Sequence, residues 1–368
     1  MTRNALVSLL FFITIWTAGC KSTAEKTETV GKATWMKIPF EKIDSVNPVL
    51  EPDSTKTFLC PIRKIAVRWE ANNVLNPATV VKDGKVYMLY RAQDKIGILS
   101  GTSRLGLAVS EDGLHFERMP EPVFYPKNDS MKVYEWEGGV EDPRIVEAAD
   151  GRFYMTYTSW DGKTARLCLA SSTDLKNWTK HGLVLAGKYK DLWSKSGSIV
   201  CEQKGEKLLA TKINGKYWMY WGDTKIFICN SDDLIHWSAV EDNTGALKVL
   251  LAPRKNKFDS DLVEPGPPAL ITKDGILFVY NGRNYGPNKD SSLPDATYAA
   301  GQALIDATDP TRVLERSEQY FFKPEKDYEI KGQVGNVCFL EGWVPFRGKW
   351  FMYYGTADSR IGVAVHTE

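Results

Sequence analysis

What the chain lacks narrows its function before any motif is considered. Among 368 residues there are four histidines and six cysteines, with no Cys-x-x-Cys pair. Scattered cysteines of this kind support neither a zinc site nor a disulfide framework. Cys168 and Cys229 fall inside apolar runs and read as small buried thiols. Net charge is +1 with 25% charged residues and no basic stripe, which argues against nucleic acid as a partner. Nothing in the sequence calls for a metal or a cofactor. Beyond the N-terminus no segment is long and apolar enough to span a bilayer. No sustained helical period is present either, which disfavours an α/β barrel.

The N-terminus reads as an export signal. Arg3 precedes an apolar run over residues 5–16, and Thr17, Ala18, Gly19 and Cys20 follow. A basic start, a short apolar stretch and small residues before a cysteine describe a signal peptide over residues 1–19. The Ala-Gly-Cys ending resembles a bacterial lipobox, although Thr17 stands where an aliphatic residue is usual. The expectation is an exported lipoprotein of a bacterial cell envelope, lipidated on Cys20, with a polar tether over residues 20–39. Residues 40–368 then form one catalytic domain. Its membrane contact would be the lipid alone, and the sequence leaves its oligomeric state open.

What is present is a repeat. Residues 85–90 (Lys-Val-Tyr-Met-Leu-Tyr), 152–157, 216–221, 275–280 and 349–354 share an aromatic and aliphatic pattern, with Met88, Met155, Met219, Val279 and Met352 equivalent. Turn signals precede them, such as Asp83-Gly84, Asp150-Gly151, Asn214-Gly215 and Asp274-Gly275, so each reads as half of a hairpin. The first three are followed by a strand, an acidic turn and an aromatic: Asp112 to Phe116, Asp174 to Trp178, Asp233 to Trp237. The fourth and fifth copies keep the strand and are expected to lose the turn. Four strands repeated five times fit radial blades, so the fold class is all-β, a five-bladed β-propeller. Aromatics make up 12% of the chain, 12 Trp and 16 Tyr among them. A β-rich core accounts for more than half of these rings, and the rest suit a sugar-binding cleft.

In a propeller the innermost strands line a central funnel. The stretches before each repeated hairpin are rich in Gly, Pro and carboxylates: Asn76-Pro77, Gly138-Gly139-Val140-Glu141-Asp142-Pro143-Arg144, Gly197-Ser198, Glu264-Pro265-Gly266, and Glu341-Gly342. Strand ends add Arg91, Asp161, Asp223, Arg283 and Asp358. Any one of these residues is as readily a turn maker. The set, sent toward one axis, provides acid, base and hydroxyl-binding groups for a sugar.

These residues, together with Tyr90-Arg91, Ser103-Arg104, residues 212–217, Gly266-Pro267-Pro268 and residues 354–358, resemble glycoside hydrolase family 130 from about residue 70 to 366. The resemblance implies a five-bladed propeller acting on β-mannosides, either by phosphorolysis or by inverting hydrolysis. It implies Asp142 as general acid, acting through a hydroxyl of the bound mannose. It also implies Asn76, Arg91, Ser103, Arg104 and Asp358 around the sugar. Arg144 either joins them or fixes its neighbours.

The nucleophile is the sharper question. Phosphate needs a cationic pocket, whereas water needs a carboxylate base. The family's phosphorylases typically carry His-Arg after the third repeated strand, and a small neutral residue before Gly-Pro-Pro. Here those stretches read Trp221-Gly222-Asp223 and Val263-Glu264-Pro265-Gly266. Two like charges ~4 Å apart repel by roughly 4 kcal/mol at an effective dielectric of about 20, so Asp223 and Glu264 favour water. The resulting expectation is an inverting, exo-acting β-mannosidase on β-1,2-linked manno-oligosaccharides, with Asp142, Glu264 and Asp223 catalytic and Glu202 and Glu206 in reserve as base. The competing readings are a phosphorylase releasing mannose 1-phosphate, a non-catalytic sugar-binding propeller, and a purely structural one.

Overall fold

The computed structural model describes residues 34–97 and 101–368. The expected signal peptide and Cys20 lie outside the described residues. No described helix is long and apolar enough to cross a membrane. The chain is all-β; its α-helices among the described residues are the single turns Lys132–Glu135 and Asp327–Ile330.

The strands form five antiparallel meanders. The first runs Asn73–Lys82, Lys85–Gln93, Ser103–Ser110 and Glu117–Arg118. The second runs Gly139–Glu147, Phe153–Trp160, Ala165–Ser172 and Thr179–Leu183. The third is led by Ser198–Lys204 and continues through Tyr217–Trp221, Ile226–Ser231 and Trp237–Ala239. In the fourth, the leading strand is broken into Leu262–Pro265 and Ala269–Ile271, followed by Ile276–Asn284, Thr297–Ile305 and Val313–Arg316. The fifth runs Cys338–Phe346, Lys349–Thr356 and Arg360–His366, and its outer strand is Glu41–Lys42 from the start of the domain. Both ends of the domain thus share one sheet.

The period of two explains the repeated motif. In the second strand of the first meander, Val86, Met88 and Tyr90 face a core shared with Phe346, Phe351, Tyr353 and Ile361 of the fifth. Leu89, on the other face, joins Ile145, Met155 and Tyr157 of the second. A strand buried on both faces must be apolar throughout, hence the unbroken aliphatic and aromatic runs. A comparable core joins Tyr220 and Ile228 of the third meander to Phe278 and Tyr280 of the fourth. Many of the aromatics fill these layers. The five described cysteines are free and buried.

Two details differ from the sequence reading. Residues 35–37, assigned to the tether, lie on the domain: Trp35 is buried, and Lys37 exchanges backbone hydrogen bonds with the Gln302 side chain. The fourth meander also keeps an acidic turn, because Asp306 Oδ1 accepts from the backbone N–H groups of Thr308 and Asp309. Its different spacing hid it.

Candidate active site

Neighbouring meanders approach one another at the leading strands through backbone groups and short polar side chains. Ser103 pairs with Gly139, Thr156 Oγ1 donates to Gly197 O, Ser198 Oγ donates to Pro267 O, and Asn281 exchanges two bonds with Leu340. Gly139 has φ +111°, and a Cβ there would fall 2.2 Å from Ser103 O, so only glycine permits this approach.

Three leading strands break register at their site ends, at Leu75/Pro77, Glu141/Arg144 and Leu340/Gly342. The skipped residues include Asn76, Asp142 and Glu341. Asn76 and Asp142 adopt φ of 48° and 49°. A bulge with left-handed backbone turns a side chain out of the strand's alternation, a device common beside active sites. The Asn-Pro and Asp-Pro pairs are its trace in the sequence.

Asp142 is the hub. Its Oδ1 accepts from Asn76 Nδ2 and Arg91 Nη1, each at 2.9 Å, and Lys195 Nζ lies 3.6 Å from Oδ2. Arg91 Nη2 also donates to Glu141 Oε1 at 2.6 Å and its Nε to Ser103 Oγ at 3.1 Å. Burial alone would raise the Asp142 carboxyl; Arg91, Lys195 and Asn76 outweigh it and hold the group well below the usual range. Glu141 beside it goes the other way, since burial is only partly offset by Arg91 and the Asp142 charge adds to it. Asn76 Oδ1 is buried without a hydrogen-bond partner, close against Gly355.

Glu264 is 3% exposed and accepts from Ser196 Oγ. Lys195 Nζ lies 3.6 Å from its Oε1, so one ammonium stands between Glu264 and Asp142. Burial, with Asp223 nearby, raises the Glu264 carboxyl despite Lys195. Asp223 sits at the rim rather than in the depth, and its Oδ2 accepts from Trp193 Nε1 at 2.5 Å. Asp358, with φ 49°, completes the group: burial pushes its carboxyl up to about 6 despite Arg91.

Several expected residues do other work. Arg104 is 1% exposed and pairs with Asp94 at 2.7 Å, also donating to Thr102 O, so its guanidinium is spent inside the sheet. Arg144, for which the sequence reading held both a sugar contact and a role in fixing its neighbours, is equally buried and donates to Gly266 O, Pro265 O and Asp142 O. It ties the strand of Asp142 to that of Glu264. Glu341 lies 3.1 Å from Arg144 Nη2, yet neither of its oxygens has a hydrogen bond of good geometry; burial raises it well above the carboxylate range. Asp161 caps its own turn and pairs with Arg166. Arg283 pairs with Asp261. The reserve candidates are remote. Glu202 pairs with Lys204, and Glu206 accepts from Arg347 N at the hairpin end of the leading strands. Among the described residues there is no metal-binding cluster of His, Cys, Asp and Glu.

Lys195 was missed from sequence. It lies just ahead of the third leading strand, in the place that Glu141 holds in the second, because Ile199 pairs with Met219 as Ile145 pairs with Met155, and that equivalence was the available signal.

A family profile described as β-1,4-mannooligosaccharide phosphorylase matches residues 40–368. The chain belongs to glycoside hydrolase family 130. A β-1,2-mannobiose phosphorylase of a Thermoanaerobacter species is 34% identical over 325 residues, covering 85% of this chain and 95% of that protein. A glycosyl hydrolase from Bacteroides ovatus superposes with a TM-score of 0.89 at 47% identity, over 91% of this chain and 96% of the other. A further solved structure has a TM-score of 0.90 at 45% identity, over 91% and 96% of the two chains. It is described as showing that this family of mannoside phosphorylases contains glycoside hydrolases that target β-1,2 mannosidic linkages in Candida mannan. Family membership makes this chain a mannoside-active enzyme.

Proposed function

We propose that the five meanders are the blades of a five-bladed β-propeller, and that the chain is an exo-acting, inverting β-mannosidase on β-1,2-linked mannosides with water as nucleophile. The observation that carries this reading is Glu264, a buried carboxyl of raised pKa across one ammonium from Asp142. A base of raised pKa takes a proton from water near neutral pH more readily than an ordinary carboxylate. Asp223 adds a second negative charge on that side and acts on Glu264 through its field.

In the free site Asp142 is ionised, so substrate binding must raise it. A neutral sugar that takes Arg91 and Asn76 as partners and excludes water does this. The proton then passes from Asp142 through a sugar hydroxyl to the departing oxygen, while Glu264 takes one from the attacking water. Asn76, Arg91, Ser103 and Asp358 hold the sugar. Arg144 sets the spacing of the two carboxyl-bearing strands.

Phosphorolysis is the second reading, favoured by the Lys195 ammonium beside Glu264 and by relatives described as phosphorylases. Incubating β-1,2-mannobiose with and without phosphate, followed by NMR, decides between them. Hydrolysis gives α-mannose first, at a rate independent of phosphate. A strict phosphate requirement with mannose 1-phosphate as product rejects it. Export as a lipoprotein is part of the same proposal. Metabolic labelling with palmitate should mark the protein, and Cys20→Ser should lose the label.

A further inference from the structure

One large aromatic at the rim of the site is exposed and yet held. Trp193 is 46% exposed, and its Nε1 donates to Asp223 Oδ2 at 2.5 Å. Its ring meets Trp160 edge-on, with centroids 5.6 Å apart and planes at 69°. Trp160 in turn covers Gly138, where a Cβ would fall 1.9 Å from the indole, so the pair flanks the strand that carries Asp142. With Leu192, Gly222, Phe227 and Leu247, Trp193 walls a cavity of about 450 Å³. Asp223, Thr224 and Lys225 supply polar groups along it.

An apolar face beside hydroxyl-binding groups is the complement of a pyranose, whose C–H face is apolar and whose edge is all hydroxyl. The volume lies in the range of small-molecule sites. The Nε1 bond fixes the ring before any ligand arrives, so little rotamer freedom remains to be lost on binding. Asp223 belongs to both places: it anchors Trp193, and its charge acts on Glu264 and Lys195. The cavity and the site therefore share Asp223.

We propose that this cavity is a subsite for a further pyranose unit of the neutral oligosaccharide whose reacting sugar lies against Asp142, Arg91 and Asn76. It rests on the mannoside reading above and adds a preference for chains longer than the reacting pair. Trp193→Ala and Trp193→Phe test it, by kcat/KM on an aryl β-mannoside and on β-1,2-mannobiose through mannotetraose. The ratio of tetraose to aryl mannoside should fall about tenfold in the alanine variant, an aromatic contact of roughly 1.4 kcal/mol. It should stay within about threefold of wild type in the phenylalanine variant, which keeps the ring and loses the N–H. A ratio unaltered in Trp193→Ala overturns the proposal. Calorimetry on Asp142→Asn separates this outcome from failure of the reaction. If wild type cleaves no mannoside, the function proposed above falls. A tenfold affinity gain from mannose to mannotetraose, erased by adding Trp193→Ala, would still support the subsite. No gain would sink it.

Discussion

Glu135 and Glu264 are both buried carboxyls, and their surroundings are opposite. Glu135 accepts from Tyr157 Oη at 3.0 Å and pairs with Lys180. The same arrangement recurs around the molecule: Tyr90 donates to Glu70 beside Arg118, Tyr280 to Asp259 between Arg254 and Arg316, and Tyr354 to Glu329 beside Lys42. Each of these acids has a hydroxyl and a cation of its own, and only Glu70 among them keeps one oxygen, Oε1, without a hydrogen bond. The central set is underprovided. Glu264 has one serine and shares Lys195 with Asp142, and Glu341 has an arginine nearby but no well-formed bond. Buried polar groups that are fully paired hold a fold together, whereas groups left short of partners await a ligand or perform chemistry. This contrast is the ground for assigning the repeated acids to stability and for proposing chemistry at the unrepeated ones.

Substitution in the two sets should break along that line. The largest effect is expected for Asp142→Asn, which removes the acid while keeping the acceptor for Arg91. Its kcat should fall by about 10³-fold, within the range for loss of general acid catalysis, with Tm maintained. Glu264→Gln should cost about 10² to 10³-fold in kcat. Azide rescue of Glu264→Gln, yielding an α-mannosyl azide, would sharpen its assignment as base. A Glu264→Gln enzyme of normal rate would end that assignment and erase the contrast with Glu135.

Much of this division could be read from the chain. The hairpin repeat, the X-Pro bulges at Asn76 and Asp142, and the acidic positions Asp223 and Glu264 are local patterns, and local patterns survive in sequence. Which way an arginine points does not. Arg91 and Arg104 lie in neighbouring strands with similar surroundings in the sequence, yet one reaches Asp142 and the other Asp94, because strand alternation and a distant partner decide. The tyrosine and acid pairs went unread although their spacing is regular, at 20, 22, 21 and 25 residues. The acid lies ahead of the leading strand, in a loop or in one of the two single helical turns, outside any periodic segment.

Arg144 tests whether paired and unpaired groups communicate. Its guanidinium spans the carbonyls beside Asp142 and Glu264, and a lysine can reach only part of that set. Arg144→Lys should lower kcat by about tenfold or more while KM changes little, because spacing rather than sugar contact is lost. A rise in KM alone would return Arg144 to the sugar.

Asp358 should set a smaller, pH-dependent effect. With its carboxyl pushed up to about 6, kcat/KM should decline as pH falls through that value and sugar hydroxyls lose an acceptor. Asp358→Asn should remove that acid limb at reduced activity. The folded pKa exceeds the unfolded one, so the folded state binds the proton more tightly, and wild type gains stability as pH falls from about 6 toward its ordinary value. At pH 7 the buried charge opposes folding, and Asp358→Asn should raise Tm there. An unchanged acid limb in the variant would assign it to another group, Glu264 first.

Tyr157→Phe should be the mildest change and the one that isolates stability from function. It removes one neutral donor from Glu135, whose carboxyl burial pushes up to about 7, and leaves Lys180 in place. The loss of a single hydrogen bond costs about 1 kcal/mol, which in a domain of this size lowers Tm by roughly 2 °C. The Glu135 pair lies in the outer layers with Phe124 and Trp178 rather than among the leading strands, so kcat and KM on mannobiose should match wild type. If instead Tyr157→Phe lowers kcat at unchanged Tm, the paired acids take part in the chemistry, and completeness of pairing no longer separates the two sets.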